Sequence, residues 1–441
     1  MARRSAEVGE APVSIFRPFF FAGIATALTV GCLLGALALL GISREGSYSG
    51  GNWTPYVLAH ANSQLFGWVG FFVMGFTLQQ HGASSLSRRN FLMLAHSCLY
   101  VMASGIALRF IAEPLAQADP NRWTWLGIAS SVLQIVAVGL LGVNITANRD
   151  RSRSSSGWPS LFVVTALVFW AAVTLVDPFV FVATHQGDKD AALAFVAEWA
   201  TPIREAQFLG FAATMVFGVA ASKFPGCLGF QPAVRLWGIA GYAAWVMGLV
   251  LRLVGWGTYF RSGLEPSSDT VFRLGSILLW LGVVLVFHSL RLFEPVIRPN
   301  ASQKFLKAGF AWLLVATTMA SLERLHLSAV HLPFSHAFTG AVRHAVTVGF
   351  ISQMIMGVGF HVASRMSSAG EVGTKALWAA WWLVNIGNAG RVFLELATDY
   401  SPGAFAPMGA TGFIELVGLG LWAAVMVGQL SRKLSGAVTS C

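Results

Sequence analysis

Long apolar runs, separated by short stretches of charge, glycine and proline, occupy almost the whole chain. A membrane-spanning helix needs about 20 apolar residues, and a strand is far shorter. The pattern therefore predicts an all-α fold, a polytopic membrane bundle of about twelve transmembrane helices. The predicted spans are residues 17–41, 57–79, 91–113, 123–146, 158–182, 202–222, 234–256, 271–290, 306–327, 340–363, 375–397 and 408–430.

Composition agrees with a bilayer environment. Of the 441 residues, 55% are hydrophobic and only 11% are charged, whereas about a quarter of the residues in a soluble domain are charged. Twelve spans with their loops use nearly all of this length. We therefore expect a single integral membrane domain over residues 1–441, with the lipid bilayer as its surroundings.

The net charge of +10 would suggest nucleic acid as a partner of a soluble protein. Here the basic residues lie in alternate loops, which is the positive-inside pattern of membrane proteins. The pattern predicts no nucleic-acid partner, and a multi-pass protein of a bacterial inner membrane with both termini cytoplasmic. The basic residues on the predicted cytoplasmic side are Arg88, Arg89, Arg149, Arg151, Arg153, Lys223, Arg235, Arg291, Arg298, Lys304, Lys307, Arg365, Lys375, Arg432 and Lys433.

An internal repeat is visible in the second, sixth and tenth predicted helices. Each contains Gly-x7-Gly, and the helix after each contains Gly-x-x-x-Arg. The arginine follows the first glycine by the same interval each time, since 109 − 67, 252 − 210 and 391 − 349 all equal 42. We predict three four-helix units, residues 17–146, 158–290 and 306–430, related by a pseudo-threefold axis along the membrane normal. The residues of this pattern are Gly67, Gly75, Arg109, Gly210, Gly218, Arg252, Gly349, Gly357 and Arg391.

Polar side chains precede the repeat glycines in the outer third of the membrane. Histidine or glutamate stands five or seven residues before the glycine, at His60, Glu205 and His344, and Arg204 and Arg343 stand six residues before it. Ionisable groups at this depth are costly unless they face a partner, a cavity or a cofactor. The first three are a candidate ring around the threefold axis, and neutral imidazoles suit iron or copper better than calcium or magnesium. Hydration at the interface, or hydrogen bonding between helices, is the structural alternative.

Arg109, Arg252 and Arg391 lie near the outer ends of the third helices of the units. One explanation is that their guanidinium groups reach the outer headgroups. The other is that they anchor carboxylates by two-bond contacts. Those carboxylates are either haem propionates or the protein's own Glu205 and Glu395.

Further histidines precede the tenth predicted helix. His331 and His336 are irregularly placed, and we expect them in a solvated loop. His326 ends the ninth predicted helix and is a weaker candidate ligand.

Four segments of the chain resemble the NnrS family of bacterial membrane proteins. They are FRPFF at residues 16–20, LFGW at 65–68 after His60, RHAVTVGF at 343–350, and NAGR at 388–391. The resemblance extends from the first helix to the last, and the RHAVTVGF segment is its most specific part.

The resemblance implies a haem- and copper-containing protein linked to the response to nitric oxide, with a layout similar to subunit I of the haem-copper oxidases. It implies His60 and His344 as the leading metal or haem ligands, with Arg391 near a propionate. Many sequences of this kind have His-x-His in the second helix, where this chain has His60-Ala61-Asn62. The sixth helix has Glu205 and no histidine. We therefore expect neither a complete oxidase-type binuclear centre nor dioxygen reduction.

Three functions follow from these observations. The first is a haem-binding protein, with copper as a further cofactor, that protects against nitrosative stress by binding nitric oxide or helping to remove it. The second is a carrier for an anionic or metal substrate bound at the centre of the bundle, and the third is an assembly partner for a respiratory complex. No catalytic residue is assigned. The candidate cofactor-binding residues are His60, His344, Arg109, Arg252 and Arg391, and the candidate metal ligands are His60, His344, Glu205 and His326.

Overall fold

The computed structural model describes residues 14–48, 53–82, 85–148, 157–367 and 370–433, and within these ranges the regular secondary structure is helical. Arg149, Arg151 and Arg153, which support the predicted orientation, lie outside the described residues. The long helices are α1 Phe16–Glu45, α2 residues 54–81, α3 Arg88–Ala118, α4 Pro120–Ala147, α5 Pro159–Thr184, α6 Lys189–Cys227, α7 Arg235–Arg261, α8 Thr270–Leu290, α9 Gln303–Val330, α10 His336–Met366, α11 Thr374–Ala397 and α12 Pro402–Leu430.

Each of the twelve predicted spans falls on one of these helices, which confirms the all-α fold. Among the described residues, ten helices are long and apolar enough to cross a membrane. The other two are α2 and α11. Polar side chains, such as Asn62 and Gln64 in α2 and Asn385 and Asn388 in α11, make these two less apolar than their neighbours.

Side-chain caps fix the start of several helices. Ser87 Oγ accepts a hydrogen bond from Asn90 N at the start of α3, and Asp119 Oδ1 accepts one from Arg122 N at the start of α4. Ser335 Oγ accepts one from Phe338 N, at 2.9 Å, at the start of α10. Each bond satisfies a backbone donor that the first turn leaves without a partner. The cap at Ser335 fixes where α10, the helix that carries His344, begins.

Glycines let the third and fourth helices of each predicted unit pack closely. A methyl group on Gly248 of α7 would lie 2.6 Å from the backbone nitrogen of Leu279 in α8. A methyl group on Gly105 of α3 or on Gly387 of α11 would likewise meet the backbone of α4 or α12. Small residues permit such contacts between membrane helices. The threefold relation of the units stays a prediction.

Four helices contain a π-helical turn, a rare feature that is frequent at functional sites. In α2, α6 and α10 the turn begins four residues before the repeat glycine. The turns therefore mark the same level of the bundle as the polar columns predicted from the sequence. The π-helical turns are Ala27–Gly31 in α1, Ser63–Val69 in α2, Ala206–Ala213 in α6 and Ala345–Ser352 in α10.

An aromatic core lies at or just after these turns in α6 and α10. Phe217 of α6 lies 6.2 Å from Phe350 of α10, measured between ring centroids, and Phe310 of α9 lies 5.5 Å from Phe350. Trp245 of α7 packs edge-on against Phe217 at 4.9 Å. All four rings are buried. This packing joins α6, α7, α9 and α10 through apolar contacts.

Candidate functional site

A cavity of about 470 Å³ lies between α1, α2, α6, α10, α11 and α12. Its volume is in the range of pockets that enclose small molecules and cofactors. Glu45, Tyr48 and Trp53 line the end nearest the α1–α2 connection. We call this space the large cavity. The ionisable side chains that line it deeper in the bundle are Cys32, His60, Arg204, Arg343, His344, Arg391, Glu395 and Glu415.

Tyr48 belongs to the connection between α1 and α2, outside the helices. Its hydroxyl lies 2.8 Å from Thr398 Oγ1, just after α11. Burial raises the pKa of Tyr48 to about 12. The hydroxyl therefore stays protonated at neutral pH and remains a hydrogen-bond donor at the edge of the cavity.

His60 is held by a backbone carbonyl. Its Nδ1 lies 2.8 Å from the carbonyl oxygen of Gly31, in the π-helical turn of α1. A carbonyl oxygen only accepts, so Nδ1 carries the proton, and the neutral ring has its lone pair on Nε2. No hydrogen bond joins Nε2 to another residue in the described part of the chain. His60 therefore presents a donor nitrogen with no protein partner at the wall of the large cavity.

His344 is oriented in a similar way. Its Nδ1 lies 3.2 Å from the carbonyl oxygen of Gly340 and 3.7 Å from Glu395 Oε2. Metal-binding histidines usually donate the other ring N–H to a carbonyl or a carboxylate, which fixes the ring and its tautomer. The structure thus brings His60 and His344, predicted together from the sequence, to the same cavity with their Nδ1 atoms bound to the backbone.

Arg391 and Glu395 form a buried pair one helical turn apart on α11. Arg391 Nη2 donates to Glu395 Oε1 at 2.9 Å. The other nitrogens of Arg391, Nε and Nη1, have no hydrogen-bond partner among the described residues, nor do Glu395 Oε2 and Glu415 Oε1. A buried polar atom left without a partner costs about 1–3 kcal/mol, so a water or ligand that reached these atoms would be bound favourably.

Arg252 faces a different, smaller cavity of about 60 Å³. Its Nε lies 3.0 Å from both carboxylate oxygens of Glu205, and its Nη1 donates to Ser276 Oγ. Both residues line the smaller cavity, and Glu205 does not line the large cavity. Two partners for this arginine follow from the sequence, a haem propionate or a carboxylate of the protein. In the structure Arg252 binds a carboxylate of the protein, Glu205. Glu205 thus lines a different cavity from His60 and His344.

Arg109 lies outside both cavities. It forms a buried ion pair with Asp177 of α5, and its Nε is 3.8 Å from Glu113 Oε1. Ser131 Oγ donates to the same Asp177 oxygen at 2.5 Å, and His185 Nε2 lies 3.1 Å from Glu113 Oε2. This cluster joins α3, α4 and α5. Asp177 was not predicted as a partner of Arg109. An aspartate within the apolar run at residues 158–182 does indicate that a buried partner is needed.

A comparison of the sequence with models of known protein families matches residues 15–433 to the family described as NnrS protein. The chain belongs to the NnrS family. The match covers nearly the whole chain and confirms the resemblance that rested on residues 16–20, 65–68, 343–350 and 388–391. No curated protein matches the chain. With its apolar helices, this NnrS-family chain is a multi-pass membrane protein.

Asn62 of the NnrS-family chain stands where many similar sequences have the second histidine of His-x-His. It exchanges two hydrogen bonds with Gln134 of α4, from Asn62 Nδ2 to Gln134 Oε1 at 3.2 Å and from Gln134 Nε2 to Asn62 Oδ1 at 2.9 Å. Asn62 is buried and does not line the large cavity. Its amide therefore joins α2 to α4.

His326 has a protein partner at each ring nitrogen. Nε2 lies 2.7 Å from Asp399 Oδ2, which also accepts from Ser335 Oγ, and Nδ1 lies 3.4 Å from the Tyr400 hydroxyl. The group joins α9 to the segments beside α10 and α11. Among the described residues, no three His, Cys, Asp or Glu side chains are grouped closely enough to hold a metal ion.

The two irregularly placed histidines differ in position. His331 ends α9 in a left-handed conformation, with φ of 55°, and is exposed. His336 is the first residue of α10, is also exposed, and lines the large cavity. Only His331 therefore lies away from the large cavity.

Proposed function

We propose that the NnrS-family chain binds haem in the large cavity and takes part in the response to nitric oxide by binding it or assisting its removal. The observation that carries the proposal is the pair His60 and His344. Both line one cavity of about 470 Å³, and each has its Nδ1 engaged by a backbone carbonyl and its Nε2 without a protein partner. Haem iron is commonly held by one or two such imidazole nitrogens.

The other groups of the cavity suit the same ligand. A haem carries two carboxylates, and Arg391 has two guanidinium nitrogens with no protein partner among the described residues. A guanidinium binds carboxylates through two parallel hydrogen bonds. Arg109 lies outside both cavities and Arg252 lines only the smaller one, so the proposal assigns no propionate to them.

Five residues that line the large cavity have a role in this proposal. His60 and His344 would hold the iron, singly or together, and Arg391 would balance the negative charge of the carboxylates. Leu65 and Leu419 contribute apolar wall, which limits water around the ligand. When bound, haem supplies an iron centre that takes nitric oxide as a ligand.

Copper fits the described residues less well. Glu205 has both oxygens on Arg252 in the smaller cavity, so it does not stand beside a cavity histidine as a third donor. His326 has protein partners at both nitrogens. We therefore restrict the proposal to haem, and copper stays a prediction from the family resemblance.

The carrier hypothesis has one supporting observation. Three arginines, Arg204, Arg343 and Arg391, line the large cavity and are available to an anionic substrate. A carrier of this kind would be colourless, whereas a haem protein absorbs strongly in the Soret region.

Absorption of the purified protein tests the proposal. The protein is expressed with haem precursor supplied, purified in detergent and measured before and after reduction, with haem quantified as its pyridine complex. We expect a Soret band close to one haem per chain and a shift of that band when nitric oxide is added to the reduced protein. A folded protein that stays colourless, and that takes up no haem when haem is added, would contradict the proposal and favour the carrier.

A further inference from the structure

Arg204 and Arg343 occupy the same repeat column, six residues before Gly210 and Gly349. Arg204 lies on α6 and Arg343 on α10. Both line the large cavity, and both also line the smaller cavity that contains Glu205 and Arg252. The two arginines therefore stand at the boundary between the cavities.

These two arginines differ from the three arginines of the Gly-x-x-x-Arg repeat in their partners. Arg109, Arg252 and Arg391 each bind a carboxylate directly. Arg204 makes one hydrogen bond, from Nη1 to Gln207 Oε1 at 2.9 Å. Within the described ranges, no hydrogen bond or ion pair joins Arg343 to another residue, and neither Arg204 nor Arg343 is within 4.0 Å of a carboxylate oxygen.

In the part of the chain that the structure describes, the carboxylates that line the two cavities do not form ion pairs with Arg204 or Arg343. Glu205 is bound to Arg252, and Glu395 is bound to Arg391. Glu323 lines the smaller cavity, and Glu45 and Glu415 line the large one. None of these three forms an ion pair with an arginine among the described residues. Arg204 and Arg343 are only partly buried, so their guanidinium groups are accessible to an anion from the cavities, and cations within a membrane bundle favour such a partner.

Guanidinium geometry defines the class of anion. The planar fork of N–H donors matches a planar group with two oxygens, as in a carboxylate. The smaller cavity of about 60 Å³ has room for about two waters, at roughly 30 Å³ each, and so for an anion of a few atoms. The large cavity next to it has room for a larger molecule that bears a carboxylate.

We propose that Arg204 and Arg343 form an oxyanion-binding site at the boundary of the two cavities, which takes a planar anion with two oxygens. The anion comes from one of two sources. One is a free small oxyanion that occupies the smaller cavity. The other is a carboxylate of the molecule in the large cavity, and this version rests on the haem proposal.

Titration with sodium formate, the smallest carboxylate, tests the site. Formate is added to the purified protein in a calorimeter, and the haem content of the same preparation is measured. The variants are Arg204→Gln, Arg343→Gln and the double substitution. Arg261→Gln is the matched control, because it also removes a cation near the outer ends of the helices, from an exposed ion pair with Glu198. The Soret band is followed during the titration, so that formate bound to iron is recognised by a shift.

A free oxyanion predicts that formate binds the wild-type protein without a Soret shift. The double variant should then bind formate about ten- to a hundredfold more weakly, with unchanged haem content, while Arg261→Gln binds it normally. A cofactor carboxylate predicts that the haem-loaded wild-type protein does not bind formate and that the double variant loses haem. Wild-type haem content together with wild-type behaviour toward formate in the double variant would overturn the site.

Two outcomes need a second measurement, namely variants that do not fold and a wild-type protein without haem. If the Gln variants do not fold, the Lys variants at both positions replace them, since they keep the charge and lose the planar fork. Unchanged formate binding and haem content in the double Lys variant would also overturn the site. If the wild-type protein proves colourless, the haem proposal fails, and the formate titration alone decides between an oxyanion site and none.

Discussion

His60 Nδ1 lies 2.8 Å from the carbonyl oxygen of Gly31, so the imidazole of His60 in α2 is hydrogen-bonded to the π-helical turn of α1. Gly31 has φ of −79° and ψ of −107°, a non-helical ψ that turns its carbonyl away from the hydrogen bonds along the helix axis. The freed oxygen accepts the imidazole proton. The irregular turn in α1 thus fixes which nitrogen of His60 is left for a ligand in the large cavity.

Gly35→Ala should disturb this arrangement. A methyl group there would lie 2.5 Å from His60 Cε1 and 2.7 Å from Nδ1, so the ring has to move. Overpacking of this kind costs about 1–3 kcal/mol, and the same loss in binding free energy would weaken haem binding roughly five- to 150-fold if His60 is a ligand. Haem titration of the purified variant measures the effect.

Gly139→Ala is the matched control for that substitution. A methyl group on Gly139 of α4 meets no atom within 4 Å. The control should bind haem as the wild-type protein does. Equal haem binding by Gly35→Ala and Gly139→Ala would argue against His60 as a ligand.

Arg252→Gln should destabilise the fold. The substitution leaves Glu205 without its cation inside the bundle, and removing one partner of a buried pair costs about 3–5 kcal/mol. Arg261→Gln breaks an exposed pair with Glu198 and should cost under about 1 kcal/mol. Thermal unfolding in detergent, followed by tryptophan fluorescence, compares the two. Similar melting curves would contradict the assignment of Arg252 and Glu205 as a structural pair.

Arg391→Lys should weaken haem retention. Lysine keeps the positive charge but cannot form the two parallel bonds of a guanidinium. Arg109→Lys should leave haem content unchanged, because Arg109 lies outside the cavities and binds Asp177. Haem per chain after gel filtration measures the difference. If Arg391→Lys retains as much haem as Arg109→Lys, Arg391 does not hold a propionate.

Membrane topology provides an independent test. A reporter that is active only in the cytoplasm should be active when fused after Lys433 and inactive when inserted at His331. The reason is that Arg291, Arg298 and the other basic loop residues lie on one predicted side. Activity at His331 would mean that an odd number of the spans before α10 is wrongly assigned.

The helices were predictable from the sequence because a bilayer demands long apolar runs, whatever the partners of each helix. The pairing of His60 and His344 in one cavity was predictable for a related reason. Both precede a repeat glycine, His60 by seven residues and His344 by five, so the predicted repeat places them at a similar depth. The family assignment followed from short segments such as residues 343–350.

Partners across helices were not predictable in the same way. Which face of a helix meets a neighbour depends on the rotation of both helices, and the π-helical turns in α2, α6 and α10 change that rotation. Glu205 and Arg204 are adjacent in the sequence, but only Arg204 lines the large cavity. The bond between Arg109 and Asp177 likewise depends on the packing of α3 against α5.

The haem content of histidine variants tests the central claim most directly. His60→Ala, His344→Ala and His331→Ala are purified in parallel, with folding checked by gel filtration and thermal unfolding. His331 is the matched control, because it is exposed and lies away from the cavity, whereas His336 lines the cavity and is unsuitable. We expect His60→Ala, His344→Ala or both to lose or shift the Soret band, with His331→Ala unchanged. A full wild-type spectrum and haem content in both His60→Ala and His344→Ala would contradict the account.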